Sequence, residues 1–479
     1  MKKITKLPSI KEHKVFFLVI FLIILAFYLF VNFYFHEQSF YSEKKLQLGA
    51  QVITAGMDNI PLLESTNWTQ APLSFLNYLI SPRHPAIPSI FLGAFMIAYA
   101  ILFVVKNFYT KLIMVVLSLV LVFSPSVIFT ITQSPEFTIL IFLFSFSIYF
   151  LLEFTVDEQV YYLFIAAMLL GLVFYAKFEF IWVSLFVALL FFVLYARRGR
   201  FLNYLIAILF PLIFFLVSYL FLIWIFGGNM EGFIKKVFVF DFGQNVNCAL
   251  DCFFKSFSAR WPYFLLYLYV LIKVAHFRPF FHSPLFLTFV SPFLVSLTLS
   301  FFGIAFLTSY FAVFCLLIII VLFPYLGPLF NELRQRFVLT GFFVFIIVFE
   351  FMTFGIARGT EERHFMQALN PVHHNVSVEE YKEAASVIEE CDAIFAVGQN
   401  AYGIIFFYDG QGRFITPDSP VYTAVRTNPV YFLDAVVVKK DSGENALKAL
   451  SSDSEPPEGF EPVFESERFV VFRKAEVVE

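Results

Sequence analysis

The 479-residue sequence is 60% hydrophobic and only 14% charged, with a mean hydropathy of +0.80, which excludes an ordinary water-soluble protein. A net charge of −3 offers no electrostatic basis for a nucleic-acid partner, and four cysteines are too few for a disulfide framework. Membrane lipids are the expected surroundings, and the 72 phenylalanines suit side chains that face them.

A bilayer core requires about 20 mostly apolar residues per helix. Runs of this kind occur at 15–35, 86–105, 112–132, 136–153, 159–176, 178–196, 201–226, 261–275, 284–303, 305–327 and 337–357. They predict a polytopic α-helical membrane protein with about eleven transmembrane helices. The first run follows Lys2, Lys3, Lys6, Lys11 and Lys14 as in a signal peptide. No small-residue cleavage site follows Phe35, so it reads as a retained first helix.

The basic residues of the short breaks set the expected orientation. The N-terminal lysines, Lys106, Lys111, Arg197, Arg198, Arg200, Arg278, Arg334 and Arg336 all fall on one side of an eleven-crossing path. Positively charged loops stay inside. The N-terminus is therefore predicted to be cytoplasmic in a plasma (inner) membrane, with residues 36–85 and 227–260 and everything after Arg358 outside. The expected domains are a transmembrane domain at 1–357 and an extracytoplasmic α/β domain at 358–479.

In that second domain, Ser377-Val378-Glu379-Glu380 is a capping-box pattern that opens a helix to about Glu390, followed by a strand from Ala393 to Val397. Asp409-Gly410-Gln411-Gly412 predicts a turn, Tyr431 to Val438 a strand, Asn445 to Leu450 a helix, and Arg468 to Arg473 a last strand.

No helix shows a charged conduction path, so function is sought in the outward loops. Glu43, Asp58, Glu64, Arg83, His84 and Glu136 are all predicted to lie at the outer membrane face. Acids that begin just beyond the bilayer suit chemistry on a lipid head group. Other readings of the same residues stay open. Glu43 with Lys44 and Lys45 also fits a solvated helix face, Arg83-His84 an interfacial anchor, and Glu136 a carboxylate at the positive end of a helix.

Tyr41-Ser42-Glu43-Lys44-Lys45-Leu46-Gln47-Leu48-Gly49-Ala50, with Val52-Ile53 and Ala55-Gly56, resembles the segment after the first helix of GT-C glycosyltransferases. Arg83-His84-Pro85 resembles that superfamily's basic element before the second helix, and Ser134-Pro135-Glu136 its second outer loop. Gly171 to Lys177 is similar to its Gly-to-Lys stretch at the end of a later helix. Two departures stand out: Ser42 occupies the position of an Asp, and Thr308-Ser309-Tyr310-Phe311 stands where many members have Arg-Tyr.

The resemblance implies a GT-C-like helical body with an outer α/β domain. It further implies transfer of a sugar, with inversion, from a polyprenyl-phosphate-sugar donor to a lipid, glycan or protein acceptor at the outer face. Glu43 would be the general base, with Asp58 and Glu64 the remaining outer-loop acids. Arg83, His84 and Lys177 would hold the donor phosphate, and a divalent cation, magnesium or manganese, held by Glu136 would offset its charge. A non-catalytic membrane scaffold or a transporter is the alternative, although no half-to-half symmetry of the helices supports transport.

Overall fold

A computed structural model describes residues 13–38, 53, 72–81, 84, 86–107, 111–133, 135–176, 180–195, 201–226, 260–274, 284–301, 308–326, 332–356, 365–366, 376–396, 402–410, 412–415, 421–439, 459–467 and 469–475, some of them by backbone alone. Internal packing divides the chain into two units. One comprises Met1–Phe33, Thr69–Ser74 and Ala86–Met366, and the other Tyr34–Trp68, Phe75–Pro85 and Gln367–Glu479.

The first unit is helical. In chain order the helices up to residue 366 are α1 (Lys14–Gln38), α2 (Pro72–Ile80), α3 (Ala86–Asn107), α4 (Lys111–Phe123), α5 (Pro125–Gln133), α6 (Pro135–Asp157), α7 (Val160–Ala176), α8 (Ile181–Tyr195), α9 (Phe201–Phe226), α10 (Trp261–Val274), α11 (Pro284–Phe301), α12 (Thr308–Leu326) and α13 (Leu333–Ile356). Lipid offers no partner to an unpaired backbone group, so apolar runs satisfy their own amides as helices. Each of the eleven predicted runs coincides with one of these helices, except that the third is split into α4 and α5, bent by 44°.

Among the described residues, five helices are long and apolar enough to cross a membrane, or six if the bent pair is one span. Several shorter apolar helices pack beside them. The chain is a multi-pass membrane protein.

Proline opens α2, α5, α6 and α11, where its missing N–H leaves no helical bond unmade. Tight crossings need glycine. A Cβ on Gly171 of α7 would collide with the Phe215 ring of α9, and one on Gly93 of α3 would come within 2.9 Å of the Ile131 side chain of α5. Small residues of this kind let membrane helices approach closely, which matters because lipid removes the hydrophobic drive for association.

The second unit holds a mixed five-stranded sheet. Helix α14 (Val376–Val387) leads to β1 (Ala393–Ala396), α15 (Tyr402–Phe407), β2 (Arg413–Ile415), α16 (Tyr422–Thr427), α17 (Pro429–Phe432), β3 (Ala435–Lys439), β4 (Phe460–Glu465) and β5 (Phe469–Lys474). The strand order is β2-β1-β3-β5-β4; β1 pairs in parallel with β2 and β3, and β5 pairs antiparallel with β3 and β4. Successive residues of β3 point to opposite faces. Ala435 and Val437 join one core with Ile394, Phe414 and Tyr381, and Val436 joins another with Val425, Leu433 and Phe460.

Two sequence expectations change here. The stretch from Tyr431 to Val438 is not one strand, because Pro429 opens the short helix α17, which closes with the Leu433 N–H on the Pro429 carbonyl at 3.0 Å. Strand β4 was not foreseen. A proline gives a strand no ladder donor, and the structure accommodates Pro462 on the sheet edge, beside a register shift between Pro462 and Phe464. The helix expected from Asn445 to Leu450 lies outside the described residues.

Candidate functional site

Of the residues singled out in the sequence, Glu43, Asp58, Glu64, Arg83 and Lys177 lie outside the described residues. His84 is described and half-buried, two residues before α3. Glu136 occupies the second position of α6, behind Pro135 at the first, where the helix dipole favours a carboxylate; its side chain lies outside the described residues.

Within the helical unit, the start of α6 that carries Glu136 meets two other helix openings. Helix α5 ends at Gln133 and α6 begins at Pro135, so one residue separates the two helices in sequence. Across that junction the Thr138 hydroxyl donates to the Thr130 carbonyl at 2.9 Å. Phe137, next to Glu136, stacks on Tyr310 in the first turn of α12, and meets Phe180 at 5.7 Å between ring centroids. Phe180 precedes α8, three residues after Lys177. The structure thus brings the openings of α6, α8 and α12 to one end of the helical unit.

Buried polar side chains include Thr130, Thr132 and Thr138 on either side of the α5–α6 junction and Ser309 in the first turn of α12, and Asn32, Ser89, Ser126 and Arg260 are buried as well. In a membrane protein such groups face the protein interior and mark functional regions. The opposite helix ends carry the cations: Lys106 in the last turn of α3, Lys111 at the start of α4, Lys273 in the last turn of α10, and Arg334 and Arg336 at the start of α13.

Glu350 is the most heavily bonded of the buried acids. It is fully buried in α13, and its Oε1 accepts the Tyr263 hydroxyl of α10 at 2.5 Å. Its Oε2 accepts the Ser124 hydroxyl in a short hydrogen bond and the Ser126 backbone N–H at 3.3 Å. Arg260, directly before α10, accepts the Tyr263 N–H on its carbonyl at 3.1 Å, and its guanidinium lies 5.2 Å over the Phe354 ring, one turn beyond Glu350. A buried carboxyl is tolerated only with such donors around it.

A second buried acid, Glu153, lies near the other end of α6. Its Oε1 accepts the Tyr149 hydroxyl at 2.7 Å and the Tyr325 hydroxyl at 3.3 Å. The sequence reading overlooked both acids and Arg260. An acid inside an apolar run was the available signal, but its partners were not, since Glu350 meets Ser124 across 226 positions.

Among the described residues no group of three or more His, Cys, Asp or Glu side chains could hold a metal ion. Cys315 and Cys391 are buried free thiols.

With this geometry in hand, the chain is similar to a solved structure of ArnT from Cupriavidus metallidurans bound to undecaprenyl phosphate. The superposition has a TM-score of 0.59, covers 95% of this chain and 98% of that one, and carries 13% sequence identity. At that identity the likeness establishes the fold alone. No family model matches the sequence, and no curated protein matches it.

Proposed function

With a GT-C glycosyltransferase fold as the premise, we propose that the chain transfers a sugar from a polyprenyl-phosphate-linked donor to a lipid, glycan or protein acceptor at the outer face of the plasma membrane. One observation carries this reading. The fold follows, over 95% of the chain, that of a protein solved with undecaprenyl phosphate bound. The polar helix ends around Glu136 and Tyr310, opposite the cationic ends, support placing the reaction on the extracytoplasmic side.

In this reading Glu43 accepts the proton of the acceptor hydroxyl as that oxygen attacks the anomeric carbon with inversion, and the donor phosphate departs. Asp58 and Glu64 are the alternative bases. Arg83, His84 and Lys177 hold the phosphate by charge-assisted hydrogen bonds. A divalent cation at Glu136 adds to that stabilisation. Departure of a phosphate needs charge compensation more than a strong acid, which suits cationic side chains.

The test is Glu43→Gln in the full chain in nanodiscs, with undecaprenyl-phosphate-linked sugars as donors. General-base catalysis contributes about 10² to 10⁴ in rate. Turnover is expected to fall by about 100-fold or more while undecaprenyl phosphate binds as before. Near-normal transfer would remove Glu43 from the role and direct the same substitution to Asp58 and Glu64.

A further inference from the structure

The geometry points to Glu350 as a positioning residue for this reaction, a latch that holds the break between α4 and α5 and so aims the opening of α6 at Pro135 and Glu136. The inference rests on the transferase reading above, but its structural half is testable without it.

The break has an incomplete explanation in Pro125 alone. Proline at 125 removes the N–H that the Leu121 carbonyl would otherwise receive in a continuous helix. The Tyr28 hydroxyl of α1 replaces it, lying 3.3 Å from the Leu121 carbonyl and 3.3 Å from that of Val122. The next amide, Ser126, is free to pair with Val122 and close the ladder behind the proline. Instead it donates to Glu350 Oε2. Between the Ser124 and Ile128 amides, which keep their helical partners, Glu350 therefore takes up the Ser126 amide of the break, and it does so from a different helix, anchored by Tyr263 on a third.

The direction of α5 is the quantity set in this way. On either side of the break the helical bonds resume, Ser124 N–H to Val120 at 3.0 Å and Ile128 N–H to Ser124 at 3.0 Å. From Ser126 to Gln133 the helix extends roughly 12 Å at 1.5 Å per residue. A swing of about 10° at the break thus moves the end of α5 by about 2 Å at this helical rise. The Thr138-to-Thr130 bond passes that displacement on to the first turn of α6, where Glu136 sits. Misplacement of about 1 Å at a reacting centre is enough for about a 100-fold loss of rate.

The test compares wild type, Glu350→Gln, Pro125→Ala and the double variant as full chains in nanodiscs. It reads amide hydrogen exchange through residues 126–133, thermal midpoint, undecaprenyl phosphate affinity, and transfer kinetics. Glu350→Gln keeps an acceptor for Tyr263, so the chain should fold. Exchange at 126–133 should rise about tenfold as the amide loses its carboxyl oxygen acceptor, with other helices unchanged. Transfer should lose at least about tenfold in kcat, with undecaprenyl phosphate affinity within about twofold. Pro125→Ala, which returns an N–H to Leu121, should produce the same kinetic defect, and the double variant should add little to either.

Unchanged exchange at 126–133 in Glu350→Gln would overturn the latch. So would a rate loss accompanied by a uniform rise in exchange across all helices, the mark of simple destabilisation. A wild type that neither binds undecaprenyl phosphate nor transfers sugar would defeat the transferase reading instead. The exchange at 126–133 would then decide the latch by itself.

Discussion

The ring of Phe137 lies against that of Tyr310 with centroids 4.0 Å apart and planes 16° from parallel, which fixes the start of α6 to the start of α12. Aromatic pairs contribute about 0.5–1.5 kcal/mol beyond the area they cover. Phe137→Ala and Tyr310→Ala should each lower the thermal midpoint. The double variant should fall short of the sum of the two by an energy in that range. Simple additivity in a thermal-unfolding cycle would show that the stack contributes nothing.

Arg83→Ala tests the phosphate end of the proposed site. Loss of a hydrogen bond to a charged group costs about 1.5–3 kcal/mol. Undecaprenyl phosphate should therefore bind between about 10- and 150-fold more weakly, as measured by titration in detergent. Donor saturation should restore most of the turnover. The pattern is the reverse of that expected for Glu43→Gln, so the two variants separate binding from proton transfer.

Orientation is checked by single cysteines at the positions expected to lie outside. Glu64→Cys and Gly443→Cys, each in a chain with the native cysteines replaced, should both react with a membrane-impermeant thiol reagent on intact cells. Protection of either one until the membrane is opened would reverse the assignment of sides.

Cys391 reports on the second unit. Burial pushes its thiol above the ordinary range, with Arg473 pulling the other way. The unfolded chain therefore releases this proton at lower pH than the folded one does. The thiol's contribution to stability is complete below the ordinary thiol range and is lost as pH rises through the folded pKa. Between about pH 7 and pH 10, the thermal midpoint of wild type should fall toward that of Cys391→Ala. Maleimide should label Cys391 only as fast as the unit opens, because the side chain is buried.

The helices were legible because the bilayer imposes their length. Runs such as 201–226 and 136–153 have no other way to satisfy their backbone. The break at Ser124-Pro125 was not legible from hydropathy, which continues through it. Pro125 is its local component, and the side chains that meet the freed backbone groups, Tyr28 and Glu350, lie on other helices. In the sheet, Ala393–Ala396 and Phe469–Lys474 were readable from their β-branched and aromatic residues. The edge strand Phe460–Glu465 was hidden by its proline. The convergence of Phe137 with Phe180 and Tyr310 is a matter of packing between distant segments, and no local pattern encodes it.

Glu350 also bears on how the chain is assembled. Its partners Ser124, Ser126 and Tyr263 precede it by 226, 224 and 87 positions. An acidic side chain within a lone membrane helix is costly to insert without partners, up to about 2.5–3.5 kcal/mol at the helix centre. Because synthesis runs from the N-terminus, the helices bearing those donors have been made before α13 emerges. The last helix of the bundle is thus the one whose insertion leans most on its predecessors, and it cannot settle stably until they are already in place.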